Sequence, residues 1–177
     1  DNLVTRTIDV GNYAAEVKKI KEIYNDAWSL NWGFVPMTDD EMDHLMADFR
    51  QIMEPELVLI SEVNEEPAGF SLTLPNINEI LIKIRNGRLF PMGFLKLLLH
   101  KNSVTGLRLI TLGIKKKFEH LGLGSIFYLE TIRRAMELGY TWAEASWILE
   151  DNQKMIRTLT KFGGERYKQH RIYEIQF

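Results

Sequence analysis

The stretch from Leu107 to Leu138 constrains this chain most. An apolar run, Leu107–Ile114, reads as a buried strand and passes into a basic loop, Lys115–Lys117, a Gly-X-Gly step at Gly122–Gly124 and a helix-like segment from about Ser125. Such a sequence brings free backbone N–H groups and the positive end of a helix dipole to one place. The stretch therefore predicts an anion site suited to a phosphate.

The glycines of this stretch do not complete either of two common nucleotide-binding motifs. A dinucleotide fingerprint needs a third glycine three residues after Gly124, and Phe127 stands there. A P-loop needs a Gly-Lys-Ser/Thr ending, which is absent. What remains is an anion-binding loop in the middle of the chain.

Length and composition predict one domain that covers residues 1–177. The hydrophobic content of 45% is enough for a proper core, and the lack of cysteine excludes disulfides, cysteine nucleophiles and cysteine-based metal sites. The apolar runs are too short to span a membrane, and the N-terminus lacks the apolar core of a signal peptide. We expect a cytoplasmic protein. Because the chain begins at Asp1 rather than Met, we expect either a trimmed chain or the C-terminal part of a longer protein.

Charge is unevenly distributed although the net charge is only −2. Asp39–Glu79 contains eleven acidic residues and one arginine, whereas Ile80–Phe118 contains nine basic residues and no acidic one. Two interpretations stay open, in which the stretches are solvated surfaces that attract one another or the basic stretch meets a polyanionic ligand.

Periodicity gives the order β-α-α-β-β-insertion-β-α-β-α-β, which predicts an α/β (α+β) fold with a mixed, mostly antiparallel sheet covered by helices on both faces. The main markers are a strand at Thr5–Val10, a helix capped by Asn12, a capping box at Thr38 and Glu41, a hairpin over 57–74, an insertion at about 76–103, a strand at Tyr140–Trp147, a helix capped by Asp151 or Asn152, and an alternating terminal strand from Tyr167 to Phe177.

The combination of these motifs resembles the GNAT superfamily of acyl-CoA-dependent N-acyltransferases. The similarity runs from about Thr5 to Phe177 and is greatest to a bacterial subgroup with a Trp-rich loop like Trp28–Pro36, a Leu-Gly-Ile strand end, and a segment like Ser146–Asn152. Members of that subgroup are often longer and carry this unit at the C-terminal end.

The resemblance implies an acetyl-CoA or another acyl-CoA as cosubstrate and no metal. The pantetheine would pair with the strand end, and loop amides would hold the pyrophosphate. The implied cofactor-binding residues are Leu112, Gly113, Ile114, Glu119, His120, Leu121, Gly122, Leu123, Gly124, Ser125 and Asn152. Glu119 stands where the family usually has Arg or Gln, and Lys115–Lys117 could offset its charge. Asn152 is equally well explained as a plain helix cap.

The family's usual catalytic side chains are missing from their positions. Arg108 stands where the glutamate base is common, and Leu159 where the tyrosine acid is common. Glu144, in a strand among small residues, is the candidate base, with an ion pair to an arginine as the alternative. Tyr173, on the last predicted strand, is the candidate acid, although tyrosine at alternating positions is commonly sheet packing.

The acceptor side is predicted from aromatic residues and from the insertion. Trp28, Trp32 and Phe34 either form an apolar acceptor pocket or plug the core. The apolar part of the insertion, Leu89–Leu99, has basic flanks and could cover a sheet edge, lie against a membrane or cover a long acyl chain.

The predicted function is acyl-CoA-dependent N-acyl transfer, with acetyl as the expected group and a small-molecule or lipid amine as acceptor. The alternatives are a lipid-directed N-acyltransferase at the membrane surface and a non-catalytic acyl-CoA-binding module. We expect no nucleic-acid partner. Peripheral membrane contact and homodimer formation stay open.

Overall fold

The computed structural model describes residues 2–31, 33–84, 95, 99, 103–145, 147–171 and 175. Two compact units make up the chain, residues 1–147 and residues 148–177. In the described ranges, no helix is long and apolar enough to cross a membrane.

The first unit contains a five-stranded sheet whose strands follow the chain order. They are β1 (Leu3–Thr7), β2 (Val58–Val63), β3 (Glu66–Pro75), β4 (Gly106–Ile114) and β5 (Trp142–Ala145). The first three neighbouring pairs are antiparallel, and β4 and β5 are parallel. The predicted mixed, mostly antiparallel sheet is confirmed, although β1 lies earlier than predicted and β5 is shorter.

Helices cover both faces of this sheet because β2 and β3 alternate their side chains between two cores. One core joins Ile60 and Phe70 to α1 (Tyr13–Ala27) and α2 (Asp39–Arg50). The other joins Leu59 and Ala68 to Phe118 and to Leu123 and Phe127 at the start of the next long helix. That helix, numbered α4, spans Leu123–Glu137, and a short α3 spans Asn78–Leu81.

The start of α2 agrees with the sequence prediction, whereas the start of α1 differs from it. Thr38 accepts the N–H of Glu41, and Glu41 in turn accepts the N–H of Thr38, so the capping box is confirmed. Asn12 precedes α1 but its side chain makes no capping bond to the described helix. A 3-10 turn at Val10–Asn12 comes first, and Asp9 caps that turn through the N–H of Gly11.

Hydrogen bonds join the two points at which the chain leaves the sheet for the predicted insertion and returns to it. The N–H of Asn76 donates to the carbonyl of Gly106 at 2.8 Å, and the Glu79 carboxylate accepts the N–H groups of Thr105 and Gly106 at 3.1 and 2.8 Å. Residues 85–94, 96–98 and 100–102 lie outside the described residues. The roles predicted for Leu89–Leu99 therefore stay predictions.

The second unit contains one described helix, α5 (Gln153–Lys161). The Oδ1 atom of Asn152 accepts the N–H of Met155 at 3.1 Å, so the cap that the sequence predicted is confirmed. The predicted terminal strand is wrong over its described part, because residues 167–171 have no regular secondary structure and alternation alone does not supply a pairing partner. Tyr173 lies outside the described residues.

A buried carboxylate connects α1 to the edge of the sheet. Glu16 is only 2% exposed, and its oxygens accept two hydrogen bonds from Arg6 at 2.6 and 2.9 Å and one from Lys19 at 3.2 Å. Arg6 and Lys19 also pair with Glu62 on β2. Burial by itself would raise the pKa of Glu16, but the hydrogen bonds from Arg6, from the N–H of Asp9 and from Lys19 outweigh it and lower the pKa.

We predict that Glu16→Gln destabilises the first unit by about 2 kcal/mol at neutral pH, because it removes the charge-assisted hydrogen bonds that Arg6 and Lys19 donate to the buried carboxylate. The lowered pKa of Glu16 stabilises the folded state above the unfolded pKa of roughly 4.3, and this contribution is lost as the pH falls through the folded pKa. Urea unfolding at neutral pH and in acid should show the loss, and the variant should depend less on acid than the wild type. Exposed Glu56→Gln is the control, and equal behaviour of the two variants would contradict the role of Glu16.

Candidate functional site

Strand β4 loses its β5 neighbour halfway along its length. The parallel pairing with β5 runs from Gly106 to Leu109, whereas β3 remains paired with β4 as far as Ile114. The register between β3 and β4 shifts at this point, so that Ile110 is the extra residue of a bulge. A bulge bends its strand and increases its twist. Beyond Leu109 the β5 side of β4 therefore has free backbone groups as far as the described strands show.

Next to the bulge, side chains of β3, β4 and β5 lie side by side on the face of the sheet that α1 covers. Leu74, Arg108 and Glu144 are register neighbours across β3, β4 and β5, so their side chains point to one face. Arg108 Nε lies 3.7 Å from Glu144 Oε2. The ion pair that the sequence offered as an alternative for Glu144 is therefore present, and the use of this carboxylate as a base stays a prediction.

The segment after β4 builds the predicted anion loop. Lys116–Leu121 forms a 3-10 helix, Gly122 adopts the left-handed conformation at φ 71°, and α4 begins at Leu123. A side chain other than glycine would be strained at Gly122. The nearest heavy atom to an added Cβ on Gly124 is Ile114 Cδ1 at 3.8 Å, which is an ordinary van der Waals contact, so a side chain fits at this position. The first N–H groups of a helix lack intrahelical partners and attract anions.

The lysines of the basic loop are held by carboxylates and a hydroxyl. Lys115 is 6% exposed and pairs with Glu22 and, at 3.5 Å, with Glu66. Lys117 bonds Glu66 at 2.5 Å, and this bond, together with the nearby lysine charges, lowers the pKa of Glu66. Lys116 Nζ donates to the Ser29 hydroxyl. Lys115 and Lys117 are thus paired with carboxylates, whereas the partner of the Lys116 ammonium is a neutral hydroxyl. That these lysines offset the charge of Glu119 stays a prediction.

The predicted cofactor residues fall into two groups. Those in the first unit follow one another along β4, the 3-10 helix and the first turn of α4, and Asn152 lies in the second unit. Glu119, His120, Gly122 and Ser125 are exposed, Leu121 and Gly124 are half-buried, Gly113 and Leu123 are buried, and Leu112 and Ile114 pack towards α4. Within the described ranges, no group of three or more His, Asp or Glu side chains could hold a metal ion.

An aromatic wall lies over the end of β4, formed by Tyr24, Trp28, Phe34 and Phe70. The ring centroid of Trp28 is 4.7 Å from that of Tyr24 and 6.3 Å from that of Phe70, and Phe34 lies 5.8 Å from Tyr24. A Cβ on Gly113 would come within 2.6 Å of the Trp28 ring, so only glycine allows this contact. Trp28 therefore packs on the core next to the end of β4, and Phe34 contacts Tyr24. Trp32 lies outside the described residues, and the acceptor pocket stays a prediction.

Three residues of the site were missed by the sequence reading. Tyr24 is not among the predicted site residues, although its spacing of four residues from Trp28 predicts their contact. Asp26 reaches the start of the anion loop, where its Oδ1 atom accepts the N–H of Lys116 at 2.8 Å. Thr111 shares the α1 face with Leu72, and its buried hydroxyl has no hydrogen-bond partner in the part of the chain that the structure describes. Nothing in the local sequence marks the last two.

Comparison with known sequences found no matching family model. A bacterial ceramide synthase from Caulobacter vibrioides is 40% identical over 97% of this chain and 46% of its own length. The protein YghO from Escherichia coli is 34% identical over 97% of this chain and 45% of its own length. The chain thus spans about half the length of these two relatives.

Solved structures share the fold at low sequence identity. An N-acetyltransferase from Staphylococcus aureus superposes with a TM-score of 0.64 at 20% identity, over 92% of this chain and 83% of its own. YncA, a proposed acetyltransferase from Salmonella typhimurium solved with its cofactor acetyl-CoA, gives a TM-score of 0.62 at 21% identity, over 92% of this chain and 79% of its own. Together with the half-paired β4 and the loop that follows it, these similarities identify the fold of the chain as that of the GNAT superfamily.

Proposed function

We propose that this chain is the acyl-CoA-dependent N-acyltransferase domain of a larger protein. The observation that carries the proposal is that, among the described strands, β4 has no β5 partner beyond Leu109, shortly before the loop and the N-terminus of α4. A pantetheine arm can pair with the free backbone of β4, and its pyrophosphate can then reach the N–H groups of the first turn. The acetyl-CoA in YncA, which shares this fold, supports the choice of ligand.

The reaction in this site is direct transfer without a covalent enzyme intermediate. The amine nitrogen attacks the thioester carbonyl, the C–S bond breaks, and the products are an amide and CoA. Backbone N–H groups of β4 beyond the bulge polarise the carbonyl oxygen. Glu144 takes the proton that the attacking nitrogen loses, and Tyr173 returns a proton to the leaving thiolate.

The acceptor in this proposal is a long-chain lipid amine, and the donor carries a fatty acyl group. A ceramide is an N-acylated long-chain amine, so the name of the 40% identical relative supports this class over a small polar amine. The loop Trp28–Thr38 carries no charged residue, and its Leu30 and Val35 are 82% and 79% exposed. Two exposed aliphatic side chains beside the aromatic wall suit an acceptor that arrives from a lipid surface.

We predict that Gly124→Asp weakens acyl-CoA binding at least tenfold, equivalent to about 1.4 kcal/mol. The added carboxylate would occupy the N–H groups and the positive dipole that the pyrophosphate needs. Gly124→Asn, of the same shape without the charge, is the matched control and should bind more tightly than the aspartate variant. Calorimetric titration with acetyl-CoA, palmitoyl-CoA and CoA measures this. Lack of binding by the wild type would refute the proposed function.

Glu144→Gln should lower kcat about 10²-fold or more, the contribution typical of a general base, and leave the Kd of acyl-CoA unchanged. The amide keeps the size of the side chain and removes its ability to take a proton. Steady-state release of CoA thiol measures the rate, with exposed Glu165→Gln as control. If the variant retains turnover, Glu144 is a structural partner of Arg108 and not the general base. Acyl-CoA binding without turnover by the wild type would favour a non-catalytic acyl-CoA-binding module.

The double variant Leu30→Glu/Val35→Glu tests the lipid acceptor. Burial of each side chain is worth about 1.5–3 kcal/mol, so the rate with a long-chain amine in vesicles should fall more than about tenfold. The rate with a short water-soluble amine should not change. Met136→Glu, which is 71% exposed at the far end of α4, is the control. Equal loss with both amines, or no loss with either, would contradict a lipid surface.

A further inference from the structure

The last two turns of α1 present two different faces to the site. Tyr24 and Trp28, four residues apart, belong to the aromatic wall. Glu22, Asp26 and Ser29, at spacings of four and three residues, contact the start of the anion loop instead. One helix end therefore touches both the loop proposed to hold the donor and the wall proposed to receive the acceptor.

The start of the anion loop is capped from this distant helix and not from its own sequence. Lys115 precedes the 3-10 helix and makes no side-chain capping bond to it. The first N–H of that helix, on Lys116, donates to Asp26 Oδ1 at 2.8 Å across 90 positions of sequence. The Asp26 carboxylate thus does for this loop what an N-cap residue ordinarily does for its own helix.

Asn25, the residue before Asp26, holds the end of the loop Trp28–Thr38, which we call the acceptor loop. Asn25 Oδ1 accepts the N–H of Met37 at 3.0 Å, and its Nδ2 atom donates to the Met37 carbonyl at 3.4 Å. This pair closes the loop that carries Phe34 and Val35. Asn25 and Asp26 are consecutive, so one peptide unit of α1 holds the end of one loop and the start of the other.

Electrostatics alone would oppose an aspartate at this position. A carboxylate close to a pyrophosphate repels it, and the repulsion weakens binding. The charge-assisted hydrogen bond to the Lys116 N–H is the feature that offsets this cost, since it fixes the backbone from which the other loop amides follow.

We propose that Asp26 is a positioning residue for the donor, acting through the Lys116 N–H, and that Asn25 and Asp26 together set the distance between the donor and acceptor loops. This inference rests on the proposed function for its ligand. It assigns no chemical step to either side chain. Binding of the donor then depends on Asp26 although this residue does not contact the donor.

Two variants of Asp26 separate positioning from simple charge. Asp26→Ala removes both the charge and the acceptor, whereas Asp26→Asn removes the charge and keeps a carbonyl oxygen for the Lys116 N–H. Positioning predicts about tenfold weaker binding of palmitoyl-CoA for the alanine variant, equivalent to the loss of one such hydrogen bond, and near wild-type binding for the asparagine variant. If Asp26 acted only through its charge, both variants would bind palmitoyl-CoA more tightly than the wild type. That result would overturn the proposal.

Amide hydrogen exchange of residues 116–124 in the ligand-free protein gives a second readout. Asp26→Ala should speed exchange in this segment, and Asp26→Asn should not. Asn25→Ala is the neighbouring control, which should speed exchange around Met37 and leave the Kd of palmitoyl-CoA unchanged. If the wild type binds no acyl-CoA, the proposed function fails, and the exchange data still decide the structural claim. Unchanged exchange at 116–124 in Asp26→Ala would overturn that claim.

Discussion

The half-paired β4 is the constraint on which the rest of the site depends. A strand in the middle of a sheet normally satisfies its backbone on both sides, and among the described strands β4 does so from Gly106 to Leu109 alone. The bulge at Ile110 bends the strand where the described part of β5 ends, and beyond Leu109 β4 has a free edge among the described strands. An edge of this kind is a template for an added strand. The loop and the first turn of α4 follow directly after this strand in the chain.

Contacts inside the fold explain part of the charge distribution of the sequence. Glu66 belongs to the acidic stretch and pairs with Lys115 and Lys117 of the basic stretch. Of the two interpretations of the asymmetry, mutual attraction is the one that applies to these residues. Backbone dipoles of the anion loop are then the means of binding that does not depend on these paired lysines, which is consistent with an exposed glutamate at position 119.

Sequence patterns correctly predicted the features that interactions between neighbouring residues determine. The strand at Leu107–Ile114, the capping box at Thr38 and the turn at Gly122 each follow from a few neighbouring residues. Two features depend on tertiary register and could not be predicted from one sequence. They are the position at which β5 stops pairing and the cap that Asp26 provides to a loop 90 residues away. The alternation from Tyr167 onwards predicted a strand that is absent over 167–171, because alternation does not provide a pairing partner.

The aromatic residues of the acceptor side show why two interpretations of a motif need not exclude each other. Trp28 was expected either to plug the core or to line a pocket, and its ring does the first by packing on Gly113 and Phe70 while remaining half-buried beside the site. Gly113 is required because any side chain there would displace the indole. A ring held by the core is rigid at little further entropic cost, and a rigid apolar wall suits the recognition of an extended aliphatic acceptor. In the proposed function, stability of the first unit and selectivity for the acceptor therefore depend on the same indole.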